Sequence, residues 1–241
     1  MGQVSKRSHP YTSAVILAAG AGTRFSDVPG EKQNLLIGDL PVVALTLRAF
    51  DACELIDETV LVCRADDAER YRTYADTYGL EKPFCAVVGG DDRMASAEAG
   101  VCAVSDRAKF VAVHDGVRCL IRPEDISSVV RRAYDDGAAA AGHRSVDTVK
   151  ISRGGKYIDE TVDRSTVWLI GTPQVFGANM YRAALYMAKR DKVSVTDDCM
   201  MAERLGFRVS LVDVGCENFK ITTKTDALLA KCIIGEREKN K

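Results

Sequence analysis

Ala14-Val15-Ile16-Leu17-Ala18-Ala19-Gly20-Ala21-Gly22-Thr23-Arg24 decides how this chain folds. Ala14–Leu17 is a short continuous apolar run, the pattern of a strand buried on both faces. The glycine-rich segment behind it is too small and too flexible to continue the strand. Two glycines allow the backbone to approach a polyanion closely, and the N–H groups of such a turn cradle phosphate. Arg24 adds a fixed cation with a fork of donors. A dinucleotide-binding turn would carry a third glycine near position 25, where Phe25 stands, and no GxxxxGK[ST] follows, so this is not a P-loop. The plainer alternative is a tight strand-to-helix turn with a surface arginine.

Further strands are expected at Thr59–Cys63, Cys85–Val88 and Phe110–His114, with helices at Pro41–Cys53, Asp67–Tyr78 and Met94–Val104 between them. Apolar strands alternating with helices imply a mostly parallel sheet covered on both faces. A helix over Pro123–Asp136 opens on proline, and Ala138–Ala141 reads as a buried strand of small residues. The pattern then changes. Thr148–Ser152 and Tyr157–Val162 alternate polar and apolar residues around Arg153-Gly154-Gly155-Lys156, a β-hairpin signal. A hairpin has no room inside a parallel sheet, so residues 147–164 are expected to project as an arm. Helices follow at Asn179–Lys189 and Thr196–Leu205, strands at Arg208–Val212 and Phe219–Ile221, and a last helix from Thr225. The expected organisation is one α/β domain of Rossmann-like form with a β-arm and a flexible tail over residues 1–12.

Composition narrows the function. The 241 residues carry 33 Lys+Arg against 34 Asp+Glu, a net charge of -1, which argues against a general nucleic-acid binder. No apolar run approaches the roughly 18 residues of a membrane span, and the polar, basic start does not read as a signal peptide. A cytoplasmic protein is expected. The eight cysteines contain no CxxC pair, and the three histidines are scattered, so neither a zinc site nor a redox pair is indicated. The thiols are expected to be reduced and structural.

In an open α/β sheet, ligands sit beyond the carboxyl ends of the strands. Behind the first strand, Glu31-Lys32-Gln33 adds a second cation. Behind the third comes Gly89-Gly90-Asp91-Asp92-Arg93-Met94-Ala95-Ser96, where the glycines again permit backbone approach, and Asp or Ser would otherwise cap the next helix. Behind the fourth comes His114-Asp115-Gly116-Val117-Arg118. A carboxylate at the end of a buried strand needs a partner, so Asp115 either holds Mg²⁺, which takes oxygen ligands, or pairs with Arg118. His114 reads as a hydrogen-bonded core residue before a base. Asp163-Arg164, Thr172-Pro173-Gln174 and Asn218-Phe219-Lys220 bring further polar and cationic groups.

Taken in order, these segments resemble the 2-C-methyl-D-erythritol 4-phosphate cytidylyltransferases, over nearly all of Ser13 to Ala230. The glycine loop is common to many nucleotidyltransferases. The combination with Gly89–Ser96, His114–Arg118, Asp147-Thr148-Val149-Lys150, Thr161–Trp168, Thr172–Phe176, Thr196-Asp197-Asp198 and Asn218–Thr222 is far more specific. The resemblance implies transfer of CMP from CTP to methylerythritol 4-phosphate, with a divalent ion, usually Mg²⁺, and a homodimer whose arms help complete the partner's site. It also implies roles. Arg24, Lys32, Arg164 and Lys220 are the expected catalytic residues. Ala18, Ala19, Gly20, Gly22, Gly90, Asp91 and Ser96 would frame the nucleotide. Asp115, Arg118, Thr148, Arg164, Thr172 and Lys220 would surround the acceptor, with Asp115 also on the metal. Departures from the family pattern are Glu31, Cys119 and Gly171, where proline, proline and glutamine are usual. The competing readings are a ribitol- or other polyol-phosphate cytidylyltransferase, a hexose-1-phosphate nucleotidyltransferase and a non-catalytic nucleotide-binding regulatory protein.

Overall fold

The structure, a computed structural model, describes residues 9–20 and 32–239. In chain order the strands and helices are β1 (Thr12–Leu17), β2 (Leu36–Ile37), β3 (Leu40–Pro41), α1 (Val42–Ala52), β4 (Glu58–Cys63), α2 (Ala68–Arg72), α3 (Tyr74–Tyr78), β5 (Phe84–Val88), α4 (Arg93–Ala103), β6 (Phe110–Asp115), α5 (Pro123–Asp136), β7 (Ala138–Arg144), β8 (Lys150–Ile151), β9 (Glu160–Thr161), β10 (Trp168–Gly177), α6 (Ala178–Arg190), α7 (Asp198–Arg204), β11 (Ser210–Asp213) and α8 (Lys224–Lys239).

Seven strands form one sheet in the order β11-β7-β10-β6-β1-β4-β5. All neighbours are parallel except β10, which runs antiparallel to both β6 and β7. β1 lies inside the sheet between β4 and β6, which is why its sequence is apolar at every second position on both faces. The two-residue period sorts the core into two layers. Ala14, Ile16, Leu61, Cys63 and Ala112 pack under α1 and α5. Val15, Val60, Val62, Val111 and Val113 pack under α4, α6 and α7. Gly100 of α4 lies so close to β1 that a Cβ there would be 2.3 Å from Val15 Cγ1 and 2.8 Å from Val62 Cγ2. Gly100→Ala is therefore expected to cost about 1–3 kcal/mol of stability by overpacking, read by urea denaturation. A neutral or stabilising result would contradict this packing.

Several expectations need correction. The tail is shorter than residues 1–12 at its inner end. Tyr11 and Thr12 are buried, Thr12 begins β1, its N–H donates to Asp57 Oδ2 at 2.8 Å, and its hydroxyl lies 2.6 Å from that of Tyr134. Asp67–Tyr78 is two short helices broken at Thr73. Phe219–Ile221 is not a strand; Ile221 N–H donates instead to the Val117 carbonyl at 3.0 Å, which ties the segment beside the loop after β6. The longest strand, β10, has no counterpart in the pattern reading, because Gly171-Thr172-Pro173 interrupts it and its register with β7 shifts between Ile170 and Gln174. The hairpin is present as a short arm, β8 with β9, paired at Lys150–Thr161 and Ile151–Glu160. All eight cysteines are free thiols, and no helix among the described residues is long and apolar enough to cross a membrane.

Candidate active site

The chain passes from β1 to β4 and β5 on one side, then returns to β6 on the other side of β1. Such a reversal opens a crevice at the carboxyl ends of the strands. A cavity of about 350 Å³ lies there, lined by Leu17–Gly20, Gln33, the segment Gly90–Arg93, Ser96, Asp115, Val117 and Lys220. Its glycines serve close approach. A Cβ on Gly90 would sit 2.4 Å from that of Ala95, so only glycine lets this turn fold onto the start of α4. Asp92 caps α4, accepting from the Ala95 N–H at 2.7 Å. The N–H groups of that first turn favour a negative ligand.

Asp115 ends β6 and is the hub of the basic side. Its Oδ2 lies 3.1 Å from Lys220 Nζ and 3.2 Å from Arg118 Nε. Burial alone would raise its pKa. Lys220 first, then Arg118 and Arg93, outweigh burial and hold the carboxyl well below the usual range. The carboxylate is therefore ionised at every physiological pH. Arg118 Nη1 also donates to the Asn218 carbonyl at 2.9 Å. A second cavity, about 250 Å³, is lined by Arg118, Gly171, Asn218, Phe219, Lys220 and their neighbours. Lys220 thus forms part of the wall of both cavities.

Behind this edge sits a buried polar cluster. Asp198 is fully buried; its Oδ2 accepts from Arg93 Nη2 and its Oδ1 from the Tyr181 hydroxyl, both at 2.6 Å. Gln174 Oε1 accepts from the N–H groups of Asp198 and Cys199, and its Nε2 donates to Asp197 Oδ2 at 3.1 Å. Arg93 reaches the first cavity from this cluster. No role for Arg93 or Asp198 was legible in the sequence, since they are 105 residues apart.

The expected site residues divide into groups. Ala18, Ala19, Gly20, Gly90, Asp91, Ser96, Asp115 and Lys220 line the first cavity together, and Arg118 lines the second. Thr172 is 3% exposed, with its hydroxyl engaged by the Asp115 N–H and His114. It stands behind Asp115 and lines neither cavity. Thr148 and Arg164 are exposed near the arm and line neither cavity; Arg164 Nη1 donates to the Val146 carbonyl at 3.0 Å. Gly22, Arg24 and the side chain of Lys32 lie outside the described residues. The Asp115–Arg118 ion pair weighed in the sequence is present, with Lys220 as a third member.

Among the described residues, no three His, Cys, Asp or Glu side chains come together as a metal-binding group. Asp115 carries two cations on one oxygen, and Asp92 is used as a cap. This donor set fits a hard cation that brings phosphate oxygens and waters as most of its ligands, and does not fit a protein-caged ion.

A glycine-lined crevice at the edge of a parallel sheet, walled by carboxylate-anchored cations, describes a nucleotidyltransferase of the α/β class. The family model for 2-C-methyl-D-erythritol 4-phosphate cytidylyltransferase matches residues 12–236. The enzyme of that name from Caldanaerobacter subterraneus subsp. tengcongensis is 36% identical over 223 residues, 92% of this chain and 98% of the relative. The one from Syntrophus aciditrophicus is 35% identical, covering 95% of this chain and 98% of the relative. Among solved structures, 4-diphosphocytidyl-2C-methyl-D-erythritol synthase from Anaerococcus prevotii superposes with a TM-score of 0.82 at 29% identity, over 93% of this chain and 98% of that one. The chain belongs to the 2-C-methyl-D-erythritol 4-phosphate cytidylyltransferase family.

Proposed function

We propose that this chain transfers CMP from CTP to 2-C-methyl-D-erythritol 4-phosphate, releasing pyrophosphate and forming 4-diphosphocytidyl-2-C-methyl-D-erythritol for isoprenoid synthesis. Within the structure, the observation that carries this reading is Lys220 on the shared wall of two cavities, anchored by Asp115 beside Arg118. The glycine-lined cavity suits a nucleotide, and the Arg118 cavity suits an anionic acceptor.

The chemistry asks little of a base. A phosphate monoester has a second pKa of about 6 and is mostly dianionic at neutral pH. One of its oxygens attacks the α-phosphorus of CTP, and the bond from that phosphorus to the pyrophosphate oxygen breaks. The difficulty is to bring two anions together and stabilise the charge that develops, so positioned cations should dominate. Lys220 and Arg118 supply them from the described residues, and Arg24 and Lys32 are assigned to the triphosphate by the family pattern. The backbone of Ala18–Gly20 and Gly90, with Asp91 and Ser96, would frame base and ribose. Mg²⁺ arriving with the triphosphate would neutralise part of its charge, with Asp115 as the protein carboxylate on its side. His114 takes no proton in this scheme, because burial drives its pKa down to about 3.

The arm supports a homodimer. Val146, Tyr157 and Ile158 are 76%, 71% and 67% exposed, more apolar surface than an isolated projection would keep in water. Thr148 and Arg164 lie away from their own chain's cavities, which fits service in a partner's site. The eight free thiols support a cytoplasmic location.

The test is pyrophosphate release from CTP and Mg²⁺ with methylerythritol 4-phosphate, and separately with ribitol 5-phosphate. Release is expected with the first acceptor, and Arg24→Ala and Lys32→Ala are each expected to lower it by about 100-fold or more. Release with ribitol 5-phosphate alone would favour the polyol-phosphate reading. CTP binding without release would favour a regulatory protein.

A further inference from the structure

Asp115, Arg118 and Lys220 come from the end of β6, the loop behind it and the segment before α8. Two cations and one carboxylate from separate segments do not hold sub-ångström geometry by charge alone. Behind them runs a closed circuit of hydrogen bonds. Asp115 N–H donates to Thr172 Oγ1 at 3.0 Å. Thr172 Oγ1 lies 3.0 Å from His114 Nδ1. His114 Nε2 lies 3.3 Å from the Arg118 carbonyl. Arg118 Nη1 donates to the Asn218 carbonyl at 2.9 Å, and Asn218 Nδ2 donates to the Thr172 carbonyl at 2.8 Å. The chain of partners closes on Thr172, the residue that holds the Asp115 N–H.

The chemistry of the partners fixes the proton positions. A carbonyl only accepts, so His114 Nε2 must carry a proton toward Arg118. The Thr172 hydroxyl already accepts from a backbone N–H, so its own proton is free to go to Nδ1. Nδ1 is then the bare nitrogen. His114 is fully buried, with the Phe50 ring 4.9 Å away centroid to centroid, and this leaves the ring a single orientation.

We propose that His114 is a positioning residue for the transfer: as the Nε2–H tautomer it clamps the Thr172 hydroxyl and the Arg118 carbonyl, and so sets the Asp115–Arg118–Lys220 cluster. This rests on the reaction assigned above, but the circuit itself does not depend on it. Asp115 is placed through its backbone N–H, Arg118 through its carbonyl, and the segment carrying Lys220 through Asn218. The circuit therefore fixes the backbone of Asp115 and Arg118 and the segment that carries Lys220, and a displacement near 1 Å of groups placed for reaction costs about 100-fold in rate.

Two measurements test it on the full-length protein. In 15N-histidine NMR, His114 is expected as the Nε2–H tautomer with a bare Nδ1; an Nδ1–H signal would overturn the proposal. In kinetics, His114→Phe keeps the ring and the Phe50 contact but removes both polar links. It is expected to lower kcat about 100-fold and to raise the acceptor KM, in protein shown by circular dichroism to be folded. Thr172→Val should do the same, and the double variant should be no worse than the poorer single one, because the residues act as one unit. His114→Gln, which can still donate toward the Arg118 carbonyl, should recover part of kcat. Losses that multiply, or that follow only the folded fraction, would make His114 an ordinary core residue. If the unaltered protein fails to use methylerythritol 4-phosphate, the reaction assignment falls, while the tautomer spectrum still decides the circuit.

Discussion

Lys220→Met is expected to lower cytidylyl transfer by about two to three orders of magnitude, the usual cost of losing one preorganised charge at a transferring group. Methionine keeps most of the length and apolar stem and removes the ammonium alone. The Lys220 side chain is 39% exposed, so its Nζ can both meet a ligand and keep its 3.1 Å contact with Asp115. The same ammonium borders both cavities, so the step that joins their contents loses its shared cation. Asp115 keeps Arg118 and stays paired, so the fold should tolerate the change. The measurement is kcat by pyrophosphate release, with the melting temperature recorded on the same preparation. Turnover within about threefold of the unaltered protein would remove Lys220 from the transition-state environment.

Asp198→Ala should have the largest effect on stability, about 3–5 kcal/mol, the range for removing one partner of a buried ion pair. Asp198 holds Arg93 and Tyr181 from its two oxygens in the interior. Arginine does not give up its proton, so Arg93 would be left without its buried partner and would swing toward Asp115 and the first cavity, which it borders. Tyr181, stacked on Phe176 with centroids 5.0 Å apart, would lose its acceptor at the same time. Chemical denaturation should show the full loss, and CTP affinity should fall with it. A change below about 1 kcal/mol would mean that Arg93 finds a substitute acceptor, and that the cluster does not anchor this wall.

Three of the strands legible in the sequence share one property. β1, β4 and β6 are flanked by other strands and covered on both faces, so burial writes a continuous apolar run into the sequence. β10 is equally central, yet Gly171, Thr172 and Pro173 break its run. Thr172 is spent on the His114 circuit, and Gly171 lies against the Arg118 guanidinium, where a Cβ would come within 3.3 Å of Nη1. The strand was illegible because its middle serves the site. The arm was legible from alternation and the Gly-Gly turn, although only two residues on each side pair.

In the site, the glycines and the residues Asp115 and Arg118 could be named from their place behind strands, and Lys220 from the Asn218-Phe219-Lys220 segment of the family resemblance. Their convergence could not, because it depends on where β6 and the segment before α8 cross. The Arg93–Asp198 pair and the closure through Asn218 are long-range side-chain contacts with no local period. The near-neutral count of 33 against 34 charges is likewise silent about a basic wall built from a few residues.

The most direct test of the central claim is 31P NMR of the complete mixture of protein, CTP, Mg²⁺ and methylerythritol 4-phosphate. The account predicts loss of the acceptor's monoester resonance, with a new pair of coupled diphosphate resonances and one pyrophosphate for each product formed. Pyrophosphate appearing with free CMP and an unchanged monoester, or no reaction of CTP at all, would contradict it.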